Sequence, residues 1–327
     1  MSDKASPESL AGKVASIQSR LAVPVFAAPM FLVSGPALVV AACKAGVIGT
    51  FPTLNARPLP ELDRWLQQIT GEISTFADAG GRPAPWAANL IVHRSNPRAE
   101  DDLALVLRYQ PEIVITALST PASVVDAVHA YGGLVFADVN SVRYARKAAQ
   151  AGADGLVLVA SGAGGHTGTV SAFSLLPAVR TFFSGPIALG GGIIDGRGVR
   201  AAQVLGADFA YLGTRFIAST ESQASAGYKQ MLVDCSEEDI VQSAHFTGVT
   251  ANYLLPSIVQ AGLDPSTLST RAEKKFDHRD TTASGETKAW RDIWAAGHGV
   301  RAIHSVQTVA EIVTELSADY LAARNTP

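Results

Sequence analysis

The chain has 327 residues, 47% hydrophobic and 17% charged, with a net charge of −3. That supply of apolar side chains suits one large α/β barrel or two smaller domains, and nothing in the charge suggests a nucleic-acid footprint. No apolar run reaches the roughly 18 residues of a membrane span. Residues 1–20 lack a signal-type apolar stretch, and Cys43 and Cys235 are far apart, which together point to a reducing cytoplasm and free thiols. There is no Cys/His spacing for a metal.

Residues 1–19 read as a lead-in containing a short capping helix. Residues 23–30 form an apolar strand, and 35–46 carry helical spacing that stops at Gly46. Residues 47–51 make a short strand, and 58–76 an amphipathic helix with Leu62, Trp65, Leu66 and Ile69 on one face. A third strand spans 86–92. The helix at 97–109 begins with Glu100, Asp101 and Asp102, where acidic groups complement a helix N-terminus. Strands follow at 112–118, 134–139, 155–161, 186–190 and 209–216, separated by helices at 121–131, 141–151, 173–183 and 198–205. Eight such units, with no Gly-x-Gly-x-x-Gly after the first strand, predict an α/β fold of the (β/α)8 TIM-barrel type rather than a doubly wound sheet.

From residue 219 the rhythm changes. Residues 222–234 and 237–242 read as helical, 247–256 as extended, 266–287 as a polar solvated stretch, 290–296 as a short aromatic helix and 308–323 as a closing helix. The expected division is a barrel over 1–219, a smaller mainly helical lid over 220–300, and a C-terminal helix within 301–327 that returns to the barrel.

The chemistry-bearing patterns fall at strand ends. Residues 157–168 are an apolar run that stops at Ser161 and continues into glycines surrounding His166, with Gly165 just before it. Glycine lets backbone approach a ligand closely, and histidine exchanges a proton near neutral pH. Taken alone, the stretch is equally a flexible turn. The seventh strand ends at Gly190, Gly191 and Gly192, and the eighth at Gly213 and Thr214. Glycine-bearing loops after these two strands of a barrel commonly hold phosphate. Ala28, Pro29 and Met30 close the first strand, Asn89 the third, Thr116 the fourth, and Asp138 with Asn140 the fifth. Asn89 is equally a structural hydrogen-bonding residue. His93, His129, His245, His278 and His304 show no partner pattern. Cys43, Trp290 and Trp294 read as packing, and Tyr253 and His245 as candidates for a pocket lining.

Taken together, Ala28-Pro29-Met30, Asn89, the segment from Ala163 through Gly165, His166 and Thr167 to Gly168, the glycines at 190–192, Leu212 to Phe216 and the late Trp294-Ala295-Ala296-Gly297-His298-Gly299 resemble the nitronate monooxygenases, formerly called 2-nitropropane dioxygenases. The resemblance covers the whole barrel and the tail. It implies FMN as cofactor, with its phosphate on Gly190–Gly192 and Gly213–Thr214 and its ring near Pro29, Met30 and Asn89. It also implies His166 as catalytic base or anion-binding group, a nitro compound and O2 as reactants, and no nucleic-acid or membrane partner; a homodimer stays open. Gly162 and Ala163 depart from the family's usual polar residue ahead of Gly-Gly-His, and His298 stands where glutamine is commoner. Two alternatives share the same phosphate loops. One is an NAD(P)H-dependent FMN reductase of the enoyl-acyl-carrier-protein or quinone reductase type, and the other a non-flavin phosphate-binding barrel.

Overall fold

The computed structural model describes residues 9–269 and 290–325. Eight parallel strands close a barrel in the order β1 (Val25–Ala27), β2 (Ile48–Pro52), β3 (Trp86–Ile91), β4 (Ile113–Ala117), β5 (Leu134–Val139), β6 (Gly155–Val159), β8 (Ile187–Gly190) and β9 (Phe209–Leu212). The missing number, β7, is the two-residue strand Gly165–His166, which leaves the barrel and joins a separate sheet. The expected (β/α)8 barrel is therefore present.

Helices α1 (Leu10–Ser19), α2 (Pro36–Ala45), α3 (Leu59–Asp78), α4 (Ala99–Tyr109), α5 (Val125–Ala130), α6 (Val142–Gln150), α7 (Ala172–Arg180) and α8 (Gly196–Leu205) follow in chain order. Their ends are written locally. Pro36 opens α2, and Gly46 closes it in the left-handed conformation, φ 90°. The Ser141 hydroxyl caps α6 and the Asp195 carboxylate caps α8. After the barrel come α9 (Thr214–Ile217), α10 (Ala226–Asp234), α11 (Leu255–Gln260) and α12 (Val309–Arg324). The last is opened by a Thr308–Glu311 capping box. It packs against α8 and α2 as part of the wall, with Ile312, Val313 and Leu316 buried beside Val199, Leu38 and Ala210. The approach to α8 is close enough that a Cβ on Gly196 would collide with the α12 backbone.

Strand side chains alternate between barrel interior and helix layer. Phe26, Ile48, Ala87, Ile115, Phe136, Val157, Ala188 and Phe209 fill the interior. The lead-in helix α1 plugs the bottom, with Leu10, Val14 and Ile17 against this same cluster. One layer higher the inward positions are occupied by Ala28, Pro52, Asn89, Asp138, Val159, Gly190 and Tyr211, which line an open space at the C-terminal end of the strands. The interior is thus packed below and hollow above.

Beyond the barrel the structure departs from the sequence reading in three places. Residues 237–242 are not helical: Glu237–Asp239 is a single 3-10 turn leading into β10 (Ile240–Ser243). That strand pairs with β11 (Ala251–Leu254), which in turn pairs antiparallel with β7. The region therefore combines helices α10 and α11 with a small sheet, because β-branched Ile240 and Val241 gain a ladder partner no local signal could announce. Residues 290–296 form no helix; Ala295 instead bridges to Tyr253, and Trp290 is left-handed, φ 73°. The eighth strand stops at Leu212, and Phe216 lies in α9. Most of the polar stretch 266–287, including His278, lies outside the described residues. Among the described residues no helix is long and apolar enough to cross a membrane.

The α1 plug gives a direct test. Ile17→Ala removes a side chain only 3% exposed from the base of the barrel and should lower the unfolding free energy by about 2–5 kcal/mol. Urea unfolding with an unchanged midpoint would show that α1 is not part of the cooperative core.

Candidate active site

The hollow layer opens into a cavity of about 900 Å³ at the C-terminal mouth of the barrel. Every expected site residue but one lines it: Ala28, Pro29, Met30, Asn89, Asp138, Gly165, His166, Gly190, Gly191, Gly192, Gly213 and Thr214. The exception is Thr116. Because Ile113 and Ile115 point into the barrel, strand alternation turns Thr116 outward, and its hydroxyl donates to the Phe136 carbonyl within the wall. Counting from Ile115 in the sequence would have excluded it.

The floor is made of small side chains, Ala28, Pro52, Ala117 and Gly190, between which Asn89, Asp138 and Tyr211 stand out as polar. The Asn89 side-chain amide donates to the Ile115 carbonyl at 3.5 Å, the limit of a hydrogen bond, so most of its capacity faces the cavity. Burial pushes the Asp138 carboxyl up to about 7. Tyr211, which sequence reasoning missed, lies over Phe26 with ring centroids 6.0 Å apart and fills the space that Gly190 leaves. Burial first, and the Asp138 charge second, raise its phenol well above the usual range.

At the end of β8, Gly191 (φ 126°) and Gly192 (φ 69°) turn the chain through conformations that favour glycine. A Cβ on Gly191 would strike the Ser161 carbonyl oxygen, whereas the Cβ position of Gly192 is open space. Among the described residues the amides of Gly192 and Ile193 donate to no protein acceptor. The N-terminus of α8 is already capped by Asp195, which accepts from Gly198 N at 2.8 Å. The anion-ready donors are therefore in the turn and not on the helix. Thr214 Oγ1 accepts from Gly297 N at 2.9 Å, which ties the second glycine loop to the tail. Arg215, next in sequence, is bound to Glu315 and Gln307 and anchors α9 against α12.

His166 approaches from the opposite wall. Its backbone is held by β11, with Ala251 opposite His166 and Asn252 opposite Gly165. The Asn252 side-chain amide donates to the Ala163 carbonyl at 2.8 Å, and Thr167 N to the Thr250 carbonyl. The imidazole Nε2 is 3.2 Å from Thr247 Oγ1, and the ring stands edge-on to Trp290 with centroids 5.3 Å apart. Burial holds its pKa down to about 4, so the ring is neutral at pH 7. Trp290 thus belongs to the cavity wall and not to anonymous packing. Tyr253 is wholly buried against Phe246 and Trp290, and His245 packs on Phe246; neither lines the cavity. His129 has a partner after all, Asp154, far from the site. Cys43 is buried under β3, where burial drives its thiol up to about 12.

The glycines ahead of His166 have a further job. Gly162 and Gly164 run against Ala296 and Gly297, and a Cβ on Gly164 or Gly297 would collide with the opposing backbone. His298 N donates to the Gly162 carbonyl at 2.9 Å. The late Gly297-His298-Gly299 segment is therefore the outer support of the histidine loop.

The neutral carboxamide, the small-residue floor and the unused turn amides fit a flat, phosphorylated ligand such as a flavin mononucleotide. A family model described as nitronate monooxygenase matches residues 15–319. A nitronate monooxygenase from Paraburkholderia phytofirmans is 28% identical over 278 residues, covering 74% of this chain and 76% of the relative. A (3aS,4S,5R,7aS)-5-hydroxy-7a-methyl-1-oxo-octahydro-1H-indene-4-carboxyl-CoA dehydrogenase from Mycobacterium tuberculosis is 28% identical over 240 residues, covering 72% of this chain but only 64% of that relative's length. Two solved structures share the fold. A nitroalkane oxidase from Streptomyces ansochromogenes matches with a TM-score of 0.78 at 23% identity over 94% of this chain and 99% of its own. FabK from Thermotoga maritima matches with a TM-score of 0.77 at 24% identity over 95% and 96%. With the family model running from α1 into α12, the chain belongs to the nitronate monooxygenase family of flavin-dependent oxidoreductases.

Proposed function

We propose that the protein binds FMN in this cavity and oxidises alkyl nitronates or nitroalkanes with O2, releasing a carbonyl compound and nitrite. The observation that carries this reading is that a neutral imidazole, His166, shares one cavity with an unfilled turn of amide donors at Gly192 and Ile193. The amides would hold the phosphate, with Thr214 beside them, and Asn89 would hydrogen-bond the ring. Bound flavin supplies the electron transfer to and from substrate that no side chain here can perform.

The side chains do the rest. For a neutral nitroalkane, the carbon–hydrogen bond next to the nitro group breaks, its proton forms an N–H bond on His166, and the electron pair stays on the nitronate. His166 then carries a positive charge beside that anion. Thr247 and Trp290 fix the plane of the ring, and the β7–β11 pairing fixes its depth. For a preformed nitronate the same residue acts by position alone. A small-residue floor leaves room for ring and substrate together.

A second reading draws on the dehydrogenase relative and on the charged mouth, where Arg57 and Lys147 line the outer cavity. In that reading NADH or NADPH reduces the flavin and a larger acyl thioester is the partner substrate. Anaerobic mixing separates the two: bleaching of the flavin by nitronate but not by NADH or NADPH supports the oxidase reading, and the reverse supports the reductase.

The purified protein should be yellow and release FMN on denaturation; a colourless protein that FMN cannot reconstitute would sink both flavin readings. His166→Asn should keep the flavin and lose about 100-fold or more of kcat/KM on neutral nitroalkanes, with a smaller effect on nitronates. Because burial favours the neutral ring, the acid limb of kcat/KM for a neutral nitroalkane should lie near pH 4 and not near the ordinary imidazole value. A limb near pH 6.5 would mean that another group or a solvated imidazole governs the step.

A further inference from the structure

Asp138 is an unusual neighbour for an anionic substrate. It occupies the inward layer of β5 and lines the cavity floor, with the hydrophobic Val139 and Val159 beside it on the lining. Among the described residues its carboxyl makes no ion pair and no hydrogen bond, and burial weakens its acidity. The titratable and charged groups that share its cavity come from every side: Tyr211 from β9, His166 from β7, Tyr144 and Lys147 from α6, Tyr228 from α10 and Arg57 from the loop after β2. Tyr211 is the group it feels most directly, since the Asp138 charge raises the phenol, and that hydroxyl is buried without a partner. The cationic side chains Lys147 and Arg57 are solvent-exposed at the mouth, and neither offsets a charge on the floor. Arg215, also on the lining, is consumed by Glu315 and Gln307.

A carboxylate on the cavity floor with no cation beside it repels a second negative charge brought into the same cavity. We propose that Asp138 sets the charge preference of the site: with its carboxyl protonated the cavity admits a small planar anion such as a nitronate, and with it ionised the cavity admits neutral nitro compounds only. This deepens the reading above and rests on it for the substrate class. His166 does not cancel the effect, since it is uncharged over the same pH range until it has taken a proton from substrate. Between about pH 4 and about pH 7 both groups are uncharged, and above that range Asp138 adds one negative charge to the floor.

The test uses nitrate, an inert anion with the planar oxygen–nitrogen–oxygen shape of a nitronate and no proton of its own to lose in this range. Nitrate is titrated into the flavin-loaded protein at constant ionic strength, with binding read from the perturbed flavin absorbance and by calorimetry. The apparent Kd should be flat below pH 6.5 and weaken about tenfold between pH 6 and pH 8, as the binding-competent protonated fraction falls. Asp138→Asn should bind nitrate with little pH dependence and retain that affinity at pH 8. A wild-type affinity that is flat from pH 6 to pH 8, or an unchanged break in Asp138→Asn, overturns the proposal; the wild-type curve decides alone if the variant does not fold. PH-dependent nitrate binding in a protein that turns over no nitro compound would instead leave the charge preference standing and remove the proposed activity.

Discussion

The place of His166 depends on four residues of backbone pairing. Gly165 and His166 lie in a glycine-rich stretch that would otherwise sample many conformations, at a cost of about 1–2 kcal/mol per residue to fix. Their antiparallel register with Ala251 and Asn252 fixes them, and the Asn252 amide on Ala163 and the Thr250 carbonyl on Thr167 extend the hold in both directions. Gly164 packs so closely on the backbone of Ala296 and Gly297 that a side chain there would collide with it, while Gly162, at φ 88°, lies against the His298 ring. Three segments far apart in sequence thus converge on one imidazole. The loop after β6 is thus held by contacts from the region beyond the barrel as well as from the barrel itself.

One physical cause, removal from water, acts on the two titratable groups of the cavity in opposite directions. It disfavours the charged form of each, so the imidazole loses its proton readily and the carboxylic acid keeps its own. Among the described residues the Asp138 carboxyl is paired with no opposite charge. The nearby formal charges are either spent on architecture, as with Arg215 on Glu315, or held at the mouth, as with Arg57 and Lys147. In the proposed reaction charge is created on the substrate during turnover, and a proton accepted by His166 would compensate it.

The barrel was legible because each unit carries its own signals: an apolar run, a capping residue such as Ser141 or Asp195, a glycine stop such as Gly46. The glycine-bearing ends of β8 and β9 and the histidine after β6 were legible for the same reason, since their chemistry depends on local backbone freedom. What failed was inference across space. Thr116 looked like a strand-end polar residue, yet the period of two set by Ile113 and Ile115 turns it into the wall. Trp290 looked like packing yet braces the histidine, and Tyr211, which no local pattern singled out, floors the cavity. Residues 237–242 looked helical because a single 3-10 turn precedes a strand whose partners are contributed from elsewhere.

The sequence by itself determined the eightfold alternation, the order in which the glycine-bearing loops and the histidine follow along it, and the side-chain types available at each strand end. Those are consequences of periodicity and of the backbone freedom of glycine, which act over a few residues. Only the tertiary structure decided which strand-end residues face inward together, that β7 leaves the barrel to pair with β11, and that the tail closes over the histidine loop. It also decided the protonation states of His166 and Asp138, because desolvation is a property of the assembled cavity and of no residue within the chain alone.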